Sequence, residues 1–233
     1  MSENHLRAAE TCSVRRVLIV DDHPVVRQGL RHLLESADDL AVCGEAETAM
    51  DARSAIDLLH PDVVICDISL RRVDGIELVR NLRAHYPQLP ILVLSALDET
   101  IYSARMLALG VNGYIMKQAS TEQVLASLRR VLEGNIYVSE AVSNSMLSGF
   151  AGGAAHLDPI ERLTNRELQI LHLIGKGAST RETAQLLHLS IKTVESHRQR
   201  IKRKLHLTTG VQLLRYALLS HAQAHANSPA GSD

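Results

Sequence analysis

Residues 17–23 read VLIVDDH, four apolar residues, three of them β-branched, that stop abruptly at two aspartates and a histidine. A run that is apolar at every position suits a strand buried on both faces. Similar runs recur at residues 40–43, 63–66, 91–94 and 113–115, and between them lie segments with helical spacing, such as Ala52, Ile56 and Leu59, or Ile76, Val79 and Leu82. Five such units predict an α/β doubly wound parallel five-stranded sheet, flavodoxin-like in plan, whose chemistry gathers beyond the carboxyl ends of the strands.

The polar residues at those ends form a set. The first strand stops at Asp21-Asp22, the third at Asp67 and the fourth at Ser95, with Ala96 next, and Lys117 follows the fifth. The fold predicts that these distant positions meet on one rim. Three neighbouring carboxylates repel one another, and at least one should hold its proton unusually tightly unless a cation is present. Carboxylates plus water suit Mg²⁺, which also accepts phosphate oxygens. Lys117 then supplies a point charge for phosphate, and Ser95 a hydroxyl donor.

Composition sets the frame. Hydrophobic residues at 45% and charged residues at 22% of 233 are ordinary globular values, which exclude wholesale disorder and fibrous repeats. No stretch is long and apolar enough for a membrane span, and the start MSENHLRAAETCSVRR lacks an apolar signal core, so the expectation is a cytoplasmic protein with no membrane partner. Cys12, Cys43 and Cys66 are too scattered for a disulfide framework or a zinc site, and Cys66 should point into the sheet core. The net charge of −1 hides an asymmetry: residues 1–139 hold 14 Lys and Arg against 19 Asp and Glu, whereas residues 161–225 hold 11 against 4. A basic half next to an acidic one points to a polyanionic partner, with nucleic acid first among the candidates.

The expected organisation is a disordered start over 1–13, an α/β domain over 14–135, a linker over 136–160, an all-α four-helix domain over 161–222 and a disordered tail over 223–233. The linker assignment rests on a Ser-, Gly- and Ala-rich stretch, 139–159, without sustained period. In the helical part, Thr164 with Glu167 and Ser179 with Glu182 are capping boxes, and Gly177 is placed to stop the first helix. Helices through Leu187, from Ile191 to Leu205 and from Thr209 to His221 complete it. The short link between the second and third is that of a helix-turn-helix. The third, IKTVESHRQRIKRKL, turns Val194, Ile201 and Leu205 inward with His197 beside them, and it carries six basic residues against one acid. Such a face suits DNA phosphate. In the last helix Val211, Leu214 and Leu218 offer an apolar stripe that suits pairing of two copies.

VLIVDDH, VVICDISLRRVDGIEL, ILVLSA and GVNGYIMKQAS, in this order, resemble a response-regulator receiver domain. The resemblance implies that Asp67 accepts a phosphoryl group from a histidine kinase. It also implies that Asp22 ligates Mg²⁺ directly with Asp21 as partner, that Ser69 offers its backbone carbonyl, and that Ser95, Ala96, Tyr114 and Lys117 sense the phosphate, Tyr114 swinging inward. LTNRELQILHLIGKGAS, ETAQLLHLSIKTVESHRQRIKRKLHL and YAL resemble the DNA-binding domain of the NarL/FixJ, or LuxR-type, regulators. By that likeness Glu195, Ser196 and Gln199 meet base edges, while Lys192, Thr193, Arg198, Lys202 and Arg203 hold the backbone.

Together these imply a phosphorylation-dependent transcription regulator that binds double-stranded DNA as a homodimer. It would be no enzyme beyond slow self-dephosphorylation and would take no small molecule other than a phosphodonor. The sequence departs from the family pattern at Leu70-Arg71-Arg72, Gln118, Thr180 and Thr183. Arg71-Arg72 supports an alternative, a phosphorylation-independent pseudo-receiver in which guanidinium charge replaces the metal. Two other classes fit less well. An aspartyl-phosphate hydrolase wants a general acid where Ser69 stands, and a sensor of lipid-like signals wants an aromatic pocket from a chain with one Phe and no Trp.

Overall fold

The computed structural model describes residues 14–70, 75–151 and 159–226. The apolar runs form β1 (Arg15–Val20), β2 (Leu40–Ala46), β3 (Val63–Cys66), β4 (Ile91–Ser95) and β5 (Gly113–Met116). They make one parallel sheet in the order β2-β1-β3-β4-β5. Strands β3 and β4 are buried at every residue, as their uninterrupted apolar runs require. The helices α1 (Pro24–Glu35), α2 (Ala49–Leu59), α3 (Gly75–His85), α4 (Glu99–Ala108) and α5 (Thr121–Leu132) flank the sheet. Val17, Ile19, Leu30, Leu34 and Leu128 share one core, while Leu18, Val20, Ala52, Ile56 and Val79 share another. The strand order places the ends of β1 and β3 side by side at the centre, so Asp21, Asp22 and Asp67 must meet.

Two turns aim that rim. Gly75 opens α3 against the loop after β3. A methyl group there would lie 2.3 Å from the carbonyl oxygen of Ile68, so no larger residue fits without moving the chain next to Asp67. Arg83 on α3 donates to the carbonyls of Tyr86, Pro87, Leu89 and Gly110 and to the Asn112 side chain, fixing the approach to β5.

The expected linker is corrected by the structure, since α6 (Glu140–Ala151) lies within it. Ser139 starts this helix, its hydroxyl accepting from the Val142 amide and donating to Glu99 on α4, and Val142 is buried. Half of its residues are apolar, but interspersed Ser and Gly leave no sustained stripe, and the helix packs against α4. A short 3-10 turn, Pro159–Arg162, leads to α7 (Asn165–Gly175), α8 (Thr180–Leu186), α9 (Ile191–Lys204) and α10 (Gly210–Ala226). Both capping boxes are formed. Helix α10 runs to Ala226, past the expected start of the tail, so residues 223–226 are helical. The expected disorder at 1–13 and 227–233 falls outside the described residues. Among the described residues no helix is long and apolar enough to cross a membrane.

Candidate functional site

The Asp21 carboxylate is 2% exposed and that of Asp67 is 1% exposed. Each is held on its backbone by a neighbouring strand: the Asp67 amide donates to Val20 O at 2.8 Å, and the Asp21 amide donates to Ala46 O at 3.1 Å. Lys117 Nζ donates to Asp21 Oδ2 at 2.6 Å and to Asp67 Oδ2 at 2.9 Å. Asp67 Oδ1 accepts the Ser69 amide at 2.8 Å. His23 closes the other side, its amide 2.8 Å from Asp21 Oδ1 and its Nδ1 2.9 Å from Asp22 Oδ1.

Burial pushes the Asp67 carboxyl above its ordinary value, Lys117 opposes this, and the charge of Asp21 adds to it. The expected abnormal carboxyl is therefore present, but loss of solvent rather than mutual repulsion is its main cause. Burial works against the Lys117 ammonium, yet the two carboxylates outweigh it and hold its pKa above the ordinary value.

One carboxylate oxygen each of Asp21, Asp22 and Asp67, with a ring nitrogen of His23, lie within 4.8 Å of one another. The three carboxylate oxygens of that set fit a hard divalent cation, and the His23 nitrogen lies at hydrogen-bond distance from Asp21 and Asp22. The oxygens of Asp21 accept from His23 and Lys117, and those of Asp67 from Ser69 and Lys117.

The Ser95 hydroxyl is buried at the same rim. It lies 3.1 Å from the Ser69 hydroxyl and accepts the Leu97 amide at 3.3 Å. Tyr114 is 1% exposed, and its hydroxyl donates to Leu97 O at 2.8 Å. The expected inward swing thus meets an aromatic that is already inside. Ala96 is exposed beside this group.

At the other end of the chain, α9 is pinned by Val194 and Ile201, both 0% exposed. Its outer face carries Lys192, Glu195, Ser196, Gln199 and Arg203, all exposed, with Lys202 half-buried on its margin. The Ser196 hydroxyl donates to Lys192 O at 2.9 Å, leaving its lone pairs outward, and Thr193 lies in the first turn under the Ser190 cap. Arg198 is drawn sideways to the Thr180 hydroxyl at 3.2 Å. Lys204 is tied to buried Glu167 at 2.7 Å, so one of the six basic side chains serves the core rather than the face. The half-buried His197 imidazole is held below its ordinary pKa by burial and then by Arg200.

Residues 17–129 match the response regulator receiver domain family, and residues 161–217 match the luxR family of bacterial regulatory proteins. Over 209 residues the chain is 34% identical to oxygen regulatory protein NreC of Staphylococcus carnosus strain TM300, spanning 87% of this chain and 96% of that protein. The chain is a two-component response regulator. Among solved structures the response regulator resembles RcsB from Salmonella enterica serovar Typhimurium, bound to promoter rprA in the presence of the phosphomimetic BeF3⁻. The identity is 31% and the TM-score 0.57, over 88% of this chain and 98% of that one. It also resembles a LuxR-family response regulator from Aurantimonas sp. SI85-9A1, with 27% identity and a TM-score of 0.56, over 60% of this chain and 99% of that one.

Within this response regulator the structure brings together Asp21, Asp22, Asp67, Ser69, Ser95 and Lys117, and it groups the expected DNA-facing residues on the outer side of α9, with Arg198 and Thr193 at its edges. His23 and the Ser69 hydroxyl are partners that the sequence reading did not name; for His23 the signal was its place directly after the acid pair. Arg71 and Arg72, on which the pseudo-receiver alternative depends, lie outside the described residues. Among the described residues, none covers the outer face of α9. What the receiver half touches instead is α7 and α10, with Arg105 of α4 donating to Ile160 O at 3.1 Å and a small apolar cavity of about 40 Å³ between Ile101, Leu168, Leu171 and Ala217.

Proposed function

We propose that this response regulator takes a phosphoryl group from a sensor histidine kinase onto Asp67 and, in that state, binds promoter DNA through α9. The observation that carries the reading is Asp67 itself, buried at the central strand end with a cation on one oxygen and a backbone amide on the other. An Asp67 carboxylate oxygen forms the bond to phosphorus while the P–N bond to the kinase imidazole breaks and its electron pair returns to the ring. Lys117 neutralises oxygens of the transferring group, and Ser95 moves its hydroxyl from Ser69 to a phosphoryl oxygen. When bound by Asp22, Asp67 and the Ser69 carbonyl, Mg²⁺ supplies the remaining positive charge for this rim. Tyr114 is already buried, so exchange of the Ser95 hydrogen bond is the motion left to the switch.

The protein then acts as a stoichiometric acceptor, not a turnover enzyme. Ser69 stands where a phosphatase would need a carboxylic acid, and hydrolysis of the acyl phosphate is slow. A cytoplasmic location follows from both partners, the kinase's phosphohistidine and chromosomal DNA. On DNA, Val211, Leu214 and Leu218, at 77%, 43% and 49% exposure, pair two copies. That RcsB is seen on promoter DNA with a phosphomimetic supports the reading.

The test is incubation with acetyl phosphate and Mg²⁺, read by intact mass, and promoter binding before and after. The wild type should gain one phosphoryl group and tighter binding, and Asp67→Asn should show neither. Equal DNA affinity in both states sinks the switch.

A further inference from the structure

Arg27 on α1 is buried, with 10% of its side chain exposed, yet it takes no part in the chemistry above. A guanidinium removed from water needs partners for its charge and its N–H donors. Arg27 has three. Its Nε donates to Glu45 Oε2 at 2.9 Å, its Nη2 donates to Glu47 Oε1, and its Nη1 donates to the backbone carbonyl of Asp21 at 2.7 Å.

The third bond is the informative one. The Asp21 carbonyl belongs to the peptide plane that joins Asp21 to Asp22. The amide of Asp21 belongs to the preceding plane, which is fixed to Ala46, and the Arg27 bond restrains the next plane, whose far end is the Asp22 nitrogen. The direction in which the Asp22 carboxylate leaves the chain is set by that plane. The two glutamates neutralise Arg27, so it acts on the rim through geometry rather than as a competing cation.

We propose that Arg27 is a positioning residue for the acidic rim, holding the Asp21–Asp22 peptide so that Asp22 and Asp67 present their carboxylates to one cation. This rests on the phosphoacceptor reading. Arg31, one turn along α1, provides an internal comparison. It bonds the same Glu45, at 2.9 and 2.7 Å, and so staples the same helix to the same strand, but its recorded bonds do not include the Asp21 carbonyl.

The experiment is Mg²⁺ titration of the full-length chain by calorimetry, followed by beryllofluoride, with folding checked by circular dichroism. The variants are Arg27→Gln, Arg27→Lys and Arg31→Gln. Arg27→Gln should weaken Mg²⁺ binding about tenfold or more, the scale on which groups that orient metal ligands act. Arg27→Lys should recover part of the loss, and Arg31→Gln should bind as wild type. If Arg27→Gln fails to fold, Arg27→Lys decides, with at least a threefold loss expected. Wild-type affinity in the Arg27 variants, or an equal loss in Arg31→Gln, overturns the positioning role while leaving the phosphoacceptor reading standing. Failure of the wild type to bind Mg²⁺ and beryllofluoride overturns both.

Discussion

The hydroxyls of Ser69 and Ser95 lie 3.1 Å apart at the edge of the acidic rim. Ser95 is 0% exposed, so its hydroxyl depends on protein partners, and in the proposed phosphorylated state Ser69 is the one it gives up. A hydrogen bond of this kind contributes about 0.5–1.5 kcal/mol net. Removing it from the resting state with Ser69→Ala should tighten beryllofluoride binding by roughly two- to tenfold. Weaker binding in a titration would show that Ser69 serves the bound state instead.

Gly75 makes a prediction about the same loop from the opposite side. A methyl group at this position must displace the Ile68 backbone, one residue from Asp67. Gly75→Ala should cost about 1–3 kcal/mol in chemical denaturation and slow phosphorylation of Asp67 by acetyl phosphate. Unchanged values in both measurements would mean that the α3 start moves freely.

Glu167 governs acid stability of the DNA-facing half. It is 2% exposed, accepts from the Thr164 amide at 2.8 Å and holds Lys204 at 2.7 Å. Burial opposes ionisation, yet Lys204 and the cap outweigh it and keep the carboxyl below its ordinary value. The folded state therefore binds this proton less tightly than the unfolded one. The stabilisation is complete above the ordinary glutamate value, about 4.3, and is lost as pH falls through the lowered folded value. Glu167→Gln should lose about 1–3 kcal/mol at neutral pH, and its gap from the wild type should close as melting curves are taken into that acid range. A gap independent of pH would argue for packing alone.

Thr183 is 0% exposed, and among the described residues its hydroxyl has no hydrogen-bond partner. Burying such a hydroxyl without a partner costs stability. Thr183→Val keeps the shape and removes the penalty, and it should raise stability by about 1 kcal/mol, a few degrees in Tm. A lower melting temperature would show that the hydroxyl is satisfied in solution.

Much of this was legible in the residues because the strongest signals were redundant. Four-residue apolar runs ending in Asp21, Asp67 and Ser95 define strand, burial and site at once. Capping boxes at Thr164 and Ser179 fixed helix starts because the side chains that make them are local. Helix α6 was hidden because its stability comes from α4, and no local pattern encodes a tertiary partner. His60, His188 and His206 end their helices in the left-handed region, with φ of 45°, 52° and 56°, where Gly or Asn is the usual mark. A histidine there carries no sequence cue. The inward Tyr114, the sideways Arg198 and the buried role of Lys204 likewise depend on neighbours far along the chain.

Asp21 and Lys117 are 96 positions apart, and their contact joins the first strand of the receiver to the turn after its last. Synthesis delivers the chain from its amino end, so the acids emerge well before the cation that balances them. A chain released before Gly113 has neither the fifth strand nor this ammonium. The ammonium that pairs with Asp21 and Asp67 is thus in place only when the last strand has joined the sheet.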